Sequence, residues 1–276
     1  MFDVIIIGGG PAGISAGIYL IRGGLSVLVL AKNKGHLDNT EITIDNYYGT
    51  PNIKGNELVN SGISQYQQLG GKINFEEVIF LKSHTNFEII TKTSVYLAKT
   101  LILATGIKNK KSKLPNYEHL IGHGISKCAT CDGFFFKGLD VSIVGNNDYM
   151  EHEKAVLEKL AKSVTVFTNN VSYDKKANHE QIISFSQSDD KIKITTANSS
   201  YLYDGVFIAD SEPSANEFAN ILGISMENNQ IIVDDNCQTN INRIYAIGDV
   251  TGEPKQIIKA VYQGMKAALH IIKNKN

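Results

Sequence analysis

Val4-Ile5-Ile6-Ile7-Gly8-Gly9-Gly10-Pro11-Ala12-Gly13 is the stretch on which the fold turns. Four apolar residues in a row are a strand's worth of fully buried chain, and glycine follows at once at 8, 10 and 13, the spacing G-x-G-x-x-G. Residues 14–21 then carry apolar side chains at helical spacing, and 27–30 form a second apolar run. That is a strand, a glycine turn, a helix and a strand, the frame in which the motif binds a dinucleotide. Gly8 allows the tight turn, Gly10 lets a pyrophosphate approach the backbone, and Gly13 lets helix pack on strand. The helix amino end supplies free N–H groups and a dipole. The acid expected about 20 residues past the glycines to hold the ribose is missing. The second strand ends instead in Ala31-Lys32-Asn33-Lys34, so either Lys32 or Asn33 substitutes or the adenosine end is held less tightly.

Working outward, residues 56–69 have core spacing for a helix. Residues 76–97 alternate short Val-, Ile- and Phe-rich runs with turn residues and read as an antiparallel meander, before a buried strand at 100–104 closes on Ala104-Thr105-Gly106. The basic segment 108–113 reads as a solvated linker. A second strand-helix-strand begins at 141–144, followed by Gly145-Asn146-Asn147-Asp148, an amphipathic helix through 161 and a strand at 164–167. Here Asn147 stands at the second glycine position and Met150 at the last, which compromises a backbone cradle for pyrophosphate. Thr168-Asn169-Asn170 offers a 2′-phosphate no cation. Strands at 182–185, 192–196 and 201–203 complete this smaller lobe. The chain then returns through strands at 231–233 and 244–247 to a closing helix at 256–272.

Composition excludes several roles. The 276 residues are 42% apolar with a net charge of −1, so no sequence-wide field draws the chain to nucleic acid or an anionic membrane. No apolar run reaches the roughly 18 residues of a membrane span, and the expected location is cytoplasmic. Three cysteines are too few for a secreted disulfide framework. Two of them form Cys128-Ala129-Thr130-Cys131, followed by Asp132 and the run Phe134, Phe135, Phe136. In a reducing compartment this spacing means redox chemistry or half of a zinc site. No second pair completes a zinc site, so no metal is expected. Cys237 reads as a buried apolar residue.

Taken in order, Gly8 to Gly13, Ala104-Thr105-Gly106, Cys128-Ala129-Thr130-Cys131-Asp132-Gly133 and Tyr245-Ala246-Ile247-Gly248-Asp249-Val250 resemble the low-molecular-weight thioredoxin reductases nearly end to end. The resemblance implies an α/β fold of two Rossmann-like, three-layer ββα lobes. Residues 1–112 and 233–276 would form a discontinuous FAD domain, with 113–232 as the inserted dithiol lobe. Gly8, Gly10, Pro11, Ala12 and Gly13 would hold the FAD pyrophosphate. Gly248 and Asp249 would meet the ribityl chain or phosphate, and Gln256 and Ile257 the isoalloxazine. His36 stands where the family has a glutamine, and Asn46 matches its asparagine. Tyr48 replaces a proline nearby, and Lys255 replaces an arginine, keeping the charge without the bidentate fork.

By the same resemblance Cys131 faces the flavin, Cys128 attacks thioredoxin and Asp132 shuttles the proton. Phe134 and Phe135 would pack around the pair and keep water off it, with plain core as an equal alternative. A homodimer is implied, and the lobes would swivel about 108–114 and 225–233. The family's NADPH lobe carries G-G-G-(N/D)-(S/T)-A and H-R-R-x-x-x-R. Here those places hold Gly145 to Met150 and Thr168-Asn169-Asn170, with Asp174 at the final arginine. This pattern resembles the ferredoxin-dependent flavin thioredoxin reductases, and ferredoxin becomes the expected donor. The alternatives are an NADPH-dependent enzyme with an atypical nicotinamide site, or a flavin-binding protein whose inserted lobe serves another partner or a second flavin.

Overall fold

The structure is a computed structural model that describes residues 1–39, 43–106, 112, 114–170, 173, 176–210 and 215–275. Most of the basic segment 108–113, and Asp174, lie outside the described residues. By internal contacts the chain forms two compact units, Met1–Lys108 with Ser214–Asn276, and Asn109–Pro213.

In the first unit, Phe2–Ile7 lies at the centre of a sheet, between Val27–Leu30 and Val95–Leu103, all parallel. Lys72–Asn74 extends the sheet beyond Val27–Leu30. The opening apolar run is buried on both faces. Val4 and Ile6 belong to one core, with Ile14, Leu20, Val59, Tyr66 and Ala267 from the helices Pro11–Arg22, Gly55–Gln68 and Ile257–Lys273. Ile5 and Ile7 belong to the other, with Leu81, Phe87 and Ile89 of the antiparallel strands. Each of the Val, Leu, Ile and Phe side chains contributes about 1.5–3 kcal/mol by burial, and together they make the three layers. The helices Pro11–Arg22 and Ile257–Lys273 approach closely because Gly264 carries no side chain: a Cβ there would stand 2.4 Å from the Ala12 carbonyl oxygen.

The meander and the strand expected at 100–104 are continuous. Val95–Leu103 is one strand whose first half pairs antiparallel with Phe87–Thr91 and whose second half pairs in parallel with Ile244–Ala246. The return to the first unit also falls earlier than expected. The helix Ala215–Leu222 buries Ala215, Phe218, Ala219 and Leu222 in the core beside Ile5 and Ile7, so residues before 233 pack with the first unit.

The second unit repeats the plan on a smaller scale. Its parallel sheet runs in the order Ser163–Phe167, Asp140–Gly145, Gly205–Ala209, Ile125–Ser126. The helix Asp148–Leu157 covers one face through Tyr149, Met150 and Leu157. The antiparallel strands Ile182–Ser188, Lys191–Thr196 and Ser200–Tyr203 cover the other through Phe185, Ile192, Ile194 and Tyr203.

Candidate functional site

The glycine turn is built as its spacing predicts. Gly8 sits at φ +120°, and a Cβ on it would lie 2.1 Å from the Ala104 carbonyl oxygen. A Cβ on Gly13 would lie 2.1 Å from the Gly8 carbonyl oxygen. Gly10 is different: its backbone is extended, at φ −78° and ψ −176°, and a Cβ on it would meet no protein atom within 4 Å. It caps the helix Pro11–Arg22 without a side chain, so the first-turn N–H groups face outward from a helix amino end.

Two other segments reach the same place. Gly248, at φ +79°, lies against Ala12, where its Cβ would stand 3.0 Å from the Ala12 Cβ. Gly35, just before His36, lies against Gly10. The last helix straps the Gly248–Thr251 turn from beneath. Gln263 Oε1 accepts the Gly248 N–H at 2.8 Å and the Thr251 hydroxyl at 3.0 Å. Lys259 Nζ donates to the Gly248 carbonyl at 3.0 Å, Thr251 Oγ1 at 3.0 Å and the Gly252 carbonyl at 2.6 Å. Burial lowers the Lys259 pKa, against the pull of nearby Asp249.

Gln256 caps the helix Ile257–Lys273 without a side-chain bond to the helix N–H groups, and its Oε1 accepts Asn46 Nδ2 at 3.2 Å. Asn46 and Gln256, 210 residues apart, are therefore neighbours. His36 and Asn46 are both exposed. At the adenosine end, Asn33 Oδ1 accepts the Gly35 N–H at 3.0 Å and Lys32 pairs with Glu77 at 3.3 Å. Lys255 pairs with Glu253 at 3.2 Å. Two open helix amino ends, room at Gly10 and the strapped turn at Asp249 fit a flavin dinucleotide.

In the second unit Cys128 and Cys131 form a disulfide, with Cα atoms 5.3 Å apart. Cys128 caps the one-turn helix Ala129–Asp132, and its sulfur accepts the Cys131 N–H at 3.1 Å. Cys128 is 4% exposed, whereas Cys131 lies open to solvent. Ser126, which the sequence reading passed over, organises the turn. Its hydroxyl donates to Asp132 Oδ2 at 2.6 Å and accepts the Cys128 N–H at 3.1 Å. Glu153 was also missed. It lies on the helix Asp148–Leu157, is 1% exposed, and its Oε2 accepts the Ala129 N–H. Neither carried a motif; only the fold brings them to the dithiol.

Phe134 and Phe135 correct an expectation. At 70% and 77% exposed they neither shield the disulfide nor form core. The 3-10 turn Gly133–Phe136 sends only the third ring inward, where Phe136 meets Phe207 edge to face at 5.4 Å. Among the described residues no three His, Cys, Asp or Glu side chains are grouped to hold a metal, and no helix is long and apolar enough to cross a membrane.

The second unit's nucleotide frame is closed by its own side chains. Asn147 caps the helix Asp148–Leu157, and its Oδ1 takes the Met150 N–H at 2.9 Å. Asn146 Nδ2 donates to Asn169 Oδ1 at 2.9 Å, tying the ends of two strands together. Met150 is fully buried, and a Cβ on Gly145 would lie 2.3 Å from the Ala209 carbonyl oxygen and 2.8 Å from the Met150 Cβ. The residues present do not fit a pyrophosphate there.

A dinucleotide cradle in one unit and an exposed redox disulfide in a second unit of the same design define a flavoprotein disulfide reductase. The chain matches the family model described as pyridine nucleotide-disulphide oxidoreductase over residues 2–171 and 148–264. It is 30% identical over 295 residues to the thioredoxin reductase of Bacillus subtilis (strain 168), covering 97% of this chain and 93% of that one. Among solved structures it is similar to the atypical thioredoxin reductase TRi from Desulfovibrio vulgaris Hildenborough. There the TM-score is 0.88 at 29% identity, covering 100% of this chain and 99% of that one. It is also similar to a ferredoxin-flavin thioredoxin reductase from Clostridium acetobutylicum, with a TM-score of 0.71 at 30% identity, covering 99% and 97%. The chain belongs to the low-molecular-weight thioredoxin reductases within that family, flavoproteins that bind FAD and act on thioredoxin.

Proposed function

We propose that this thioredoxin reductase draws its electrons from reduced ferredoxin rather than from NADPH. The observation that carries the reading is the contrast between two helix ends of the same chain. The one after Gly10 is open, and the one after Asn147 is filled by its own cap. A nicotinamide dinucleotide would have to displace that side chain and break the Asn146–Asn169 bond, and Thr168-Asn169-Asn170 offers no cation for a 2′-phosphate. The likeness to the ferredoxin-flavin enzyme of Clostridium acetobutylicum supports the same donor.

Bound FAD accepts electrons singly and passes them on as a pair, which joins a one-electron carrier to a disulfide. The chain's residues do the rest. Gly8, Gly10, Pro11, Ala12, Gly13, Gly248 and Asp249 hold the dinucleotide, and His36, Asn46, Gln256 and Ile257 line its flavin end. Cys131, the exposed sulfur, takes the electron pair, breaking its bond to Cys128. Asp132, held by Ser126, moves the proton that turns a thiolate into a thiol. Cys128 then attacks the disulfide of thioredoxin, forming a mixed disulfide that Cys131 resolves. At 4% exposure Cys128 must first be uncovered to meet thioredoxin, and the swivel expected at 225–233 is not where that happens, because those residues lie inside the first unit. Phe134 and Phe135 offer thioredoxin an apolar platform beside the pair.

The test is anaerobic mixing of the oxidised protein with NADPH, NADH and reduced ferredoxin in parallel, following the flavin absorbance band. Ferredoxin bleaches the band and the nicotinamides do not. Prompt bleaching by NADPH refutes the donor assignment. Counting flavins released per chain checks that the second unit holds none.

A further inference from the structure

We propose that Glu153 is a positioning residue of the dithiol, holding the start of the Cys128–Cys131 helix and governing the acidity of the thiols once the disulfide is reduced. The inference rests on the reading of Cys128–Cys131 as the working dithiol, and it uses a group that the proposed cycle leaves idle. Ala129 lies between the cysteines and is fully buried. Its N–H, alongside the Cys131 N–H that the Cys128 sulfur accepts, is one of the backbone donors of the turn that carries the dithiol. Glu153 Oε2 takes that donor. The other oxygen, Oε1, is buried without a hydrogen-bond partner of good geometry among the described residues, although the nearby Tyr149 hydroxyl still favours the charged carboxylate.

The surroundings give this carboxyl little help. From its own helix Tyr149 stands beside it, with its hydroxyl donating to the Lys127 carbonyl at 2.9 Å. The strands beneath present Val141, Ile143, Phe207 and Ala209. On the dithiol segment the titratable groups are Lys127, Cys128, Cys131 and Asp132, of which Asp132 is engaged by Ser126. Burial pushes the Glu153 carboxyl up to about 7. Its charge therefore changes in the range where the thiols must ionise. A carboxylate bound at the Ala129 N–H and a thiolate on the adjoining Cys128, both buried, disfavour each other, so the two ionisations are coupled. Neutral Glu153 permits the thiolate; ionised Glu153 raises the thiol pKa.

Glu153→Gln separates position from charge, because the amide oxygen still accepts the Ala129 N–H. Both proteins are reduced with dithiothreitol, freed of it anaerobically, and alkylated with iodoacetamide from about pH 5 to about pH 10, since only the thiolate reacts. Peptide mapping follows Cys128 and Cys131 separately. Cys237 stays silent, being buried with its thiol pushed up to about 11. The wild-type profile shows two inflections, one near neutrality. The variant shows one, lowered by about 1 unit, with alkylation near neutral pH faster by up to about tenfold. Superposable profiles overturn the proposal. If the variant does not fold, a single inflection in the wild type overturns it. Because dithiothreitol supplies the electrons, failure of the ferredoxin reading leaves this result unchanged.

Discussion

Replacing Gly10 by asparagine transplants into the first unit the cap that closes the second. Nothing in the backbone demands glycine at residue 10, whose φ of −78° suits any side chain, and nothing in the protein crowds a Cβ there. The missing side chain thus reads as clearance for a ligand. Asparagine is among the best helix caps and glycine a weaker one, so the apoprotein of Gly10→Asn gains up to about 0.5 kcal/mol. FAD binding moves the other way. The new amide oxygen takes an N–H that would otherwise meet the pyrophosphate, and a hydrogen bond to a charged group is worth about 1.5–3 kcal/mol. That is a Kd weaker by about 10- to 150-fold, before any steric conflict. Flavin fluorescence titration of the apoprotein gives the affinity, and urea unfolding followed by circular dichroism gives the stability. Wild-type FAD affinity in a folded Gly10→Asn protein would show that the pyrophosphate lies elsewhere, and the contrast between the two helix ends would lose its meaning.

The opposite exchange, Asn147→Gly, costs the second unit only a few tenths of a kcal/mol; combined with arginine at Asn169 and Asn170, it gives measurable bleaching of the flavin by NADPH in the anaerobic assay. Phe134→Ala and Phe135→Ala leave the urea midpoint of the free protein within about 0.5 kcal/mol of wild type but raise the KM for thioredoxin, whereas Phe136→Ala, which removes the ring packed on Phe207, costs about 2–4 kcal/mol of stability. The oxidised protein loses stability as pH rises. The folded-state pKa of Glu153 is raised from 4.5 to about 7, so the folded form holds a proton that the unfolded chain releases. Stability therefore falls between those values, by on the order of 3 kcal/mol, and levels off above them. Urea titrations of wild type and Glu153→Gln at several pH values check this, the variant lacking that fall.

Much of this architecture lies on the surface of the sequence because it rests on local rules. A strand buried on both faces must be apolar throughout, and residues 4–7 are; a turn that brings backbone within 2.1 Å of where a Cβ would sit must be glycine, and Gly8 and Gly13 are. The strand Gly205–Ala209, central to the second sheet, escaped because its apolar run follows Tyr201, Leu202 and Tyr203 with only Asp204 between, and periodicity marks no boundary there. The helix Ala215–Leu222 escaped because eight residues give its pattern little weight. At the site, the cysteines and the Gly248-Asp249 pair announce themselves by spacing. Glu153 looks like any charged residue on a helix, and its burial is decided by a loop more than 20 residues away. Phe134 and Phe135 mislead in the opposite sense, since residue type says core while the 3-10 turn faces them outward.

The strand Val95–Leu103 borrows half of one edge from Ile244–Ala246, residues that follow the whole of the second unit. During synthesis the second unit emerges entire, so every strand of its parallel sheet is present before the first unit is complete. The first unit waits. Until the closing strand and the helix Ile257–Lys273 leave the ribosome, the Ala12 and Ala16 face of the first helix lacks the helix that packs on it at Gly264, and the second half of Val95–Leu103 has a free edge. Long-range pairing of this kind is slow and leaves apolar surface open to aggregation. The two halves of this enzyme therefore mature in the reverse of their order in the chain, and the dithiol is housed before its flavin has a pocket to enter.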